Sequence, residues 1–447
     1  MFQEFESIKF SKIISHNSDA CASFSPGGLA LAYAAENQLY IWNIGSKEIS
    51  QLFVCDHAID FIEWSPDSEL IYCIIKKENL VQVWNLNCLS WRGRINEGCL
   101  AITHASWAPD SRHILILCEF HVSLKIWSIT SETCVEIESP KPIENCFAFS
   151  SCGKYFIVAN RPKLKDYLSV YACDTWQIIK NFPVDTKDLS SIQLSSVDLV
   201  IGVIDALVEY KILFYSIDGR LLGKYTKEGH IGPYSLSWNP TGKLVAVGDI
   251  GGITLLQSLD YKLKTSCQNL TVLGSENIVL YNKSEKSDMM NSSNKFASRC
   301  EIYDVIKRRP ISILQLLGEI EKPDMKQTMK TGVHILQFSS DGQYLAFVHG
   351  LTLRVIYLFH VEKLQLSDII IQNQNVKSLC WHPKQNFLII CTGSDTLNMW
   401  TPNYCICFMS PYEDKFSIIK ASWHPKEDFL ILNSKECSSL LYLPGSF

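Results

Sequence analysis

Proton transfer, metal binding and covalent catalysis each need particular side chains at particular spacings. The 447-residue chain carries 11 histidines, 17 cysteines and 46 acidic residues. It contains no His-Glu-x-x-His and no Cys-x-x-Cys, the spacings that set two metal ligands on one face. The closest cysteine pair, Cys405 and Cys407, alternates along a strand-like run, so both thiols share a face, but no further His or Cys stands nearby. Gly242-Lys243 is followed by Leu244 and lacks the upstream glycine of a phosphate-cradling loop. No Gly-x-Ser-x-Gly elbow occurs. His382 and His424 each precede a proline in equivalent contexts. A catalytic base is needed once, so their repetition points to structure. The expectation is a protein with no catalytic residue, no cofactor and no metal site, and therefore not an enzyme.

The elements that would hold any site recur along the chain. An alternating apolar run ends in Trp or Phe, then a small polar residue, then Pro with Asp or Gly: Phe24-Ser25-Pro26-Gly27, Trp64-Ser65-Pro66-Asp67, Trp107-Ala108-Pro109-Asp110, Trp238-Asn239-Pro240, Trp381-His382-Pro383 and Trp423-His424-Pro425. Copies without proline stand at Phe149-Ser150-Ser151 and Phe338-Ser339-Ser340, with a weak one at Leu194-Ser195-Ser196. Apart from one gap between positions 240 and 340, the copies recur at the period of roughly 40–45 residues of WD repeats. A second beat follows each: Ile41-Trp42-Asn43, Val83-Trp84-Asn85, Ile126-Trp127-Ser128 and Met399-Trp400. The resemblance to WD repeats is specific, with Trp-Asn or Trp-Ser in place of Trp-Asp.

Each unit reads as four short antiparallel strands whose first turn is made by Pro-Asp or Pro-Gly. A single blade cannot bury both faces, so blades must stack. The pattern predicts an all-β WD-repeat β-propeller with nine clear units and one degenerate unit, closed as one ring. The last repeat stops one strand short, and the piece Ser7–Ile14 can supply that strand. The degenerate unit, with a polar Asn282–Lys295 insertion, falls in 266–330. A split into two propeller lobes near 266–330 is the alternative.

Composition bounds the partners. A net charge of -5 gives no electrostatic reason to expect nucleic acid or an anionic membrane. No apolar run approaches the roughly 18 residues of a membrane span, and the acidic start is not a secretory signal. The chain is expected in the cytoplasm, where cysteines such as Cys73, Cys118 and Cys391 act as small core hydrophobes. Function would then sit on the loops between second and third strands. Aromatic and Arg anchors dominate such surfaces, so Phe120, His121, Arg161, Lys165 and Tyr167 are the candidate partner-binding residues. The segments Lys76–Glu78, Asp205–Glu209 and Asp249–Ile250 are further rim loops.

Scattered stretches support a narrower resemblance: Leu80–Trp84, Pro109–Leu115, Glu119-Phe120-His121, Lys165-Asp166-Tyr167, Glu209–Leu213 with Tyr215–Leu222, and Cys391–Ser394. In this order they resemble the WD-repeat family encoded antisense to the p-seventy-three gene in vertebrates, which has fungal relatives. That resemblance implies a scaffold of the centrosome or spindle pole body. Its implied partners are a coiled-coil microtubule-anchoring protein of the Msd type and a minus-end-directed kinesin, and its implied role is tethering microtubule minus ends. The other reading is a generic WD-repeat adaptor in RNA handling or protein turnover. The Trp-Asp-x-Arg box of ligase adaptors is absent: the equivalent sequences are Trp42-Asn43-Ile44-Gly45 and Trp84-Asn85-Leu86-Asn87.

Overall fold

A computed structural model describes residues 9–143, 146–206, 208–268, 272–273, 278–283, 300–306, 311–312, 332–412 and 416–443. Strands dominate, and the helical elements among the described residues are three short 3-10 turns. The strands form nine antiparallel blades. Blade 1 is Ala22–Phe24, Ala30–Ala35, Gln38–Asn43 and Glu48–Val54. Blade 2 is Phe61–Trp64, Leu70–Ile75, Leu80–Asn85 and Arg92–Asn96. Blade 3 is Ile102–Trp107, His113–Cys118, Ser123–Ser128 and Cys134–Glu138. Blade 4 comprises Phe147–Phe149, Tyr155–Asn160, Tyr167–Ala172 and Ile178–Pro183. Blades 5 to 8 begin at Leu189, Ser235, Val333 and Ser378, and blade 9 at Lys420. The all-β WD-repeat propeller class expected from the repeat is the class found.

Two compact units divide the chain. One holds Met1–Pro142, Cys152–Ile179 and Ser410–Phe447, and the other Ile143–Ser151 and Lys180–Met409. Within the first, one apolar cluster joins blades 9 and 1 through Leu31, Phe429 and Leu440. A second joins blades 1 and 2 around Ile41, Trp64 and Cys73, and a third joins blades 2 and 3 around Tyr72, Trp107 and Ile116. Within the second unit, equivalent clusters join blades 5 and 6, 6 and 7, and 7 and 8. The alternation explains this: Leu70–Ile75 is buried at every position, because neighbouring blades cover both faces. The outermost strand Glu48–Val54 is mostly exposed. Each fully buried aliphatic side chain contributes about 1.5–3 kcal/mol.

The repeat residues build one recurring lock. The indole Nε1–H of Trp64 donates to the Ser23 carbonyl of the preceding blade at 3.2 Å. Trp107 does the same to Glu63, and Trp381 to Gln337, each at 3.2 Å. Beyond the Trp, the turn needs a left-handed residue. Gly28, Gly153, Gly242 and Gly342 supply it, with φ from 69° to 75°. Ser68 and Ser111 stand at the same place with φ of 66° and 60°. Their hydroxyls accept the neighbouring turn's N–H, from Gly27 at 2.8 Å and Asp67 at 3.0 Å.

His382 and His424 belong to these turns. His424 Nδ1 accepts the amides of Lys426 (3.3 Å) and Glu427 (2.9 Å), and Nε2–H donates to the Gly28 carbonyl at 2.7 Å. His382 Nδ1 accepts the amides of Lys384 and Gln385, both at 3.1 Å. Both rings are buried turn caps, as their repetition suggested.

The N-terminal segment completes blade 9. Lys9 and Phe10 pair antiparallel with Tyr442 and Leu441, and Ile14 and Ser15 with Ser438 and Cys437. The described residues build nine blades, and the described part of 266–330, where a degenerate tenth unit was expected, adds no blade of its own. Instead Val279–Asn282 runs parallel to the outer strand of blade 7, Gln365–Ile371, with Asp304–Ile306 added beyond it. Cys300–Ile302 pairs with Tyr404–Met409 of blade 8. These strands are three or four residues long and lack the Trp and the proline turn, so they extend existing edges. Tyr281 and Tyr303 are buried with the core of blades 7 and 8. The Tyr303 hydroxyl lies 2.8 Å from Gln372 Oε1 and 2.9 Å from Asn398 Oδ1, so its one proton is shared between two acceptors. Most of the Asn282–Lys295 insertion, and residues 307–310 and 313–331, lie outside the described residues.

Candidate functional site

Among the described residues no group of three His, Cys, Asp or Glu is placed to hold a metal ion. Cys405 and Cys407 are buried in the core of blades 7 and 8, and burial pushes the Cys405 thiol well up, with the neighbouring Cys407 adding to it. No helix among the described residues is long and apolar enough to cross a membrane.

The loops between second and third strands differ from the proline turns. In blades 2, 3 and 4 each is a single 3-10 turn: Lys76–Glu78, Glu119–His121 and Pro162–Leu164. Each uses left-handed non-glycine backbone, at Asn79 (φ 51°), Phe120 (φ 64°), Lys163 (φ 51°) and Leu164 (φ 62°). For bulky residues this conformation is rare and costs of order 1–2 kcal/mol. Apolar side chains in and beside these turns stand in solvent. Phe120 is 81% exposed, Val122 62% and Leu164 84%.

A buried ion pair secures the blade 4 loop. Lys141 Nζ lies 2.9 Å from Asp166 Oδ1, with the two side chains 4% and 1% exposed. Arg161 Nε stands 3.7 Å from the same oxygen. The segment entering blade 4 ties the two loops together. Ser139 N–H donates to the Val122 carbonyl at 2.9 Å, Pro140 bridges Asn160, and Lys141 N–H donates to the Ala159 carbonyl at 2.8 Å. Sequence reasoning named Arg161–Tyr167 as a rim loop without singling out Leu164 or Asp166, and passed over Val122 and Lys141. Leu164 and Val122 were legible as apolar residues inside or beside predicted loops. Nothing in the sequence marked Lys141 as buried.

Of the predicted residues, Phe120 and Lys165 are exposed. Arg161 is partly buried beside Asp166, and Tyr167 opens the third strand opposite Asn160. The side chain of His121 lies outside the described residues. Two further rim candidates are corrected. Asp205 and Asp249 are buried, because their carboxylates cap their own loops. Asp205 Oδ1 accepts the amides of Asp188 (2.9 Å) and Ala206 (2.9 Å), and Asp249 Oδ1 those of Gly251 (2.8 Å) and Gly252 (2.9 Å).

Comparison with known proteins places this arrangement. The chain is 31% identical over 432 residues to the WD repeat-containing protein WRAP73 of Mus musculus, covering 94% of this chain and 93% of that protein. The chain belongs to the WRAP73 family of WD repeat-containing proteins. The WD domain, G-beta repeat model matches residues 367–401. That span runs from the outer strand of blade 7 through the first three strands of blade 8. Among solved structures, a eukaryotic initiation factor is similar at TM-score 0.56 and 12% identity, covering 91% of this chain and 93% of that one. The C-terminal WD40 domain of Sif2 is similar at TM-score 0.51 and 12% identity, covering 98% and 99%. The Dos1 propeller is similar at 0.53 and 10%, covering 86% and 92%. These likenesses reflect the fold that the WRAP73 family shares with them. A WD-repeat propeller of this family is a protein-interaction scaffold.

Proposed function

We propose that this protein is a non-catalytic scaffold of the centrosome or spindle pole body. It acts with a coiled-coil microtubule-anchoring protein of the Msd type, and with a minus-end-directed kinesin, to tether microtubule minus ends. The observation that carries the reading is the near full-length similarity to WRAP73. Support also comes from rim loops in blades 3 and 4 that hold left-handed backbone and leave apolar side chains in solvent. The candidate contacts are Phe120, His121, Arg161, Lys165 and Tyr167.

The test is affinity purification of the tagged full chain from dividing cells, with mass spectrometry of the partners and imaging of the tag. Recovery of a coiled-coil anchor and focal signal at the poles is expected. Recovery of ribonucleoprotein or ubiquitin-ligase subunits, with no polar signal, overturns the pole assignment.

A further inference from the structure

We infer that the rim loops of blades 3 and 4 form a docking surface for an acidic, amphipathic segment of a partner protein. This rests on the scaffold reading above and assigns to it a surface and a partner chemistry. Phe120, Val122 and Leu164 are the apolar contacts, exposed by 81%, 62% and 84%. They sit on neighbouring loops joined by the Ser139–Lys141 segment. Exposed large apolar groups gathered on adjacent loops mark interaction sites more often than solvated surface.

Charge decides the occupant. The blade 4 loop carries Arg161, Lys163 and Lys165 within five positions. Its one carboxylate, Asp166, is buried and held by Lys141 at 2.9 Å, so it cancels a buried cation rather than the exposed loop lysines. Lys163 and Lys165 are exposed and enter no ion pair among the described residues. The exposed carboxylates nearby, Glu119 and Glu138, lie on the blade 3 side. The surface is thus polarised, apolar and weakly acidic over blade 3 and basic over blade 4. A matching segment presents an apolar stripe with Asp or Glu along the edge that meets blade 4.

Backbone geometry narrows the form of that segment. Both loops are 3-10 turns closed by left-handed residues, so neither offers a strand edge to extend. Recognition must run through side chains, which suits a helix face rather than an added strand. The Lys141–Asp166 pair holds the loop in place before binding, which reduces the ordering cost of association.

The probes are two synthetic 20-residue amphipathic peptides, one of Leu and Glu and one of Leu and Lys in the same register, titrated into the purified full chain. The acidic peptide is expected to bind. Its affinity should fall at least tenfold in Phe120→Ser and in the double variant Lys163→Glu with Lys165→Glu, and should weaken with salt. The Leu/Lys peptide should bind the double variant better than the parent chain. Thermal unfolding of each variant checks that the fold persists, and Leu164→Ala gives an independent third variant. Equal binding of both peptides, no binding, or indifference to all three changes overturns the proposal. Affinity purification separates this failure from failure of the scaffold reading. If the parent chain recovers no partner, the scaffold reading fails. If it recovers partners that the triple variant (Phe120→Ser, Lys163→Glu, Lys165→Glu) keeps in full, the scaffold stands and this surface is wrong.

Discussion

At the proline-turn end of blades 9, 1, 2 and 3, polar groups of one turn meet those of the next: His424 on Gly28, Gly27 on Ser68 and Asp67 on Ser111. At the opposite end, the loops of blades 2 and 4 close on their own backbone, and those of blades 3 and 4 leave Phe120, Val122 and Leu164 in solvent. Positive φ occurs at both ends but is filled differently. Glycine, or a serine whose hydroxyl is used, holds it in the turns. Asparagine, phenylalanine, lysine and leucine hold it in the loops of blades 2, 3 and 4. Strain of that kind persists where something other than stability maintains it. The turn end is built for cohesion between blades, and the loop end for display.

The largest expected effect lies beneath the display end. Asp166→Ala removes the buried carboxylate that meets Lys141 at 2.9 Å and should cost about 3–5 kcal/mol. Chemical denaturation of the purified chain measures this, and a loss under 1 kcal/mol would mean the pair does not anchor the loop. At the turn end, His424→Ala removes three hydrogen bonds and a ring stacked on Phe429 at 4.4 Å. About 3 kcal/mol should be lost, taking each bond at about 1 kcal/mol. His424→Asn, which keeps a cap of the kind Asn239 makes, should recover part of it.

Asp368 in the outer strand of blade 7 belongs to neither end. Burial raises its carboxyl to about 6, against a weaker opposing hydrogen bond from Ser367. The folded value exceeds the unfolded value of about 4, so this group favours the native state when protonated. Its contribution is complete below pH of about 4 and is lost as pH rises through about 6. Asp368→Asn should therefore raise stability at pH 7 by about 2 kcal/mol and flatten the thermal midpoint across that window. A midpoint unchanged at pH 7 would contradict this. The smallest expected effect is Phe120→Gly. The ring is mostly in solvent and glycine accepts φ of 64°, so stability should rise by about 0.5 kcal/mol. Partner recovery should fall at the same time. A clear loss of stability would show that the ring packs rather than displays.

Much of the fold was legible because the repeat is local. The Trp, the small polar residue and the proline turn lie within a few residues of one another, and strand alternation has a period of two. That is enough to place nine blades, the turn role of His382 and His424, and the N-terminal strand on blade 9. The site was half legible. Loop position and residue type pointed to Phe120 and Arg161, but Asp205 and Asp249 look the same in sequence as exposed acids. They are buried because main-chain amides, which no sequence pattern displays, converge on their carboxylates.

By itself the sequence determined the class of fold, the blade period and the side of each blade on which loops occur, since these follow from near-neighbour patterns of apolar and turn residues. Tertiary structure alone decided that 279–282 and 300–306 extend blades 7 and 8, because strand pairing joins residues such as Val279 and Asp368 that are far apart in the chain. It alone also decided that Lys141 is buried against Asp166 while Lys163 and Lys165 stay in water. The free energy of a charge depends on what surrounds it, and those surroundings exist only once the blades have packed.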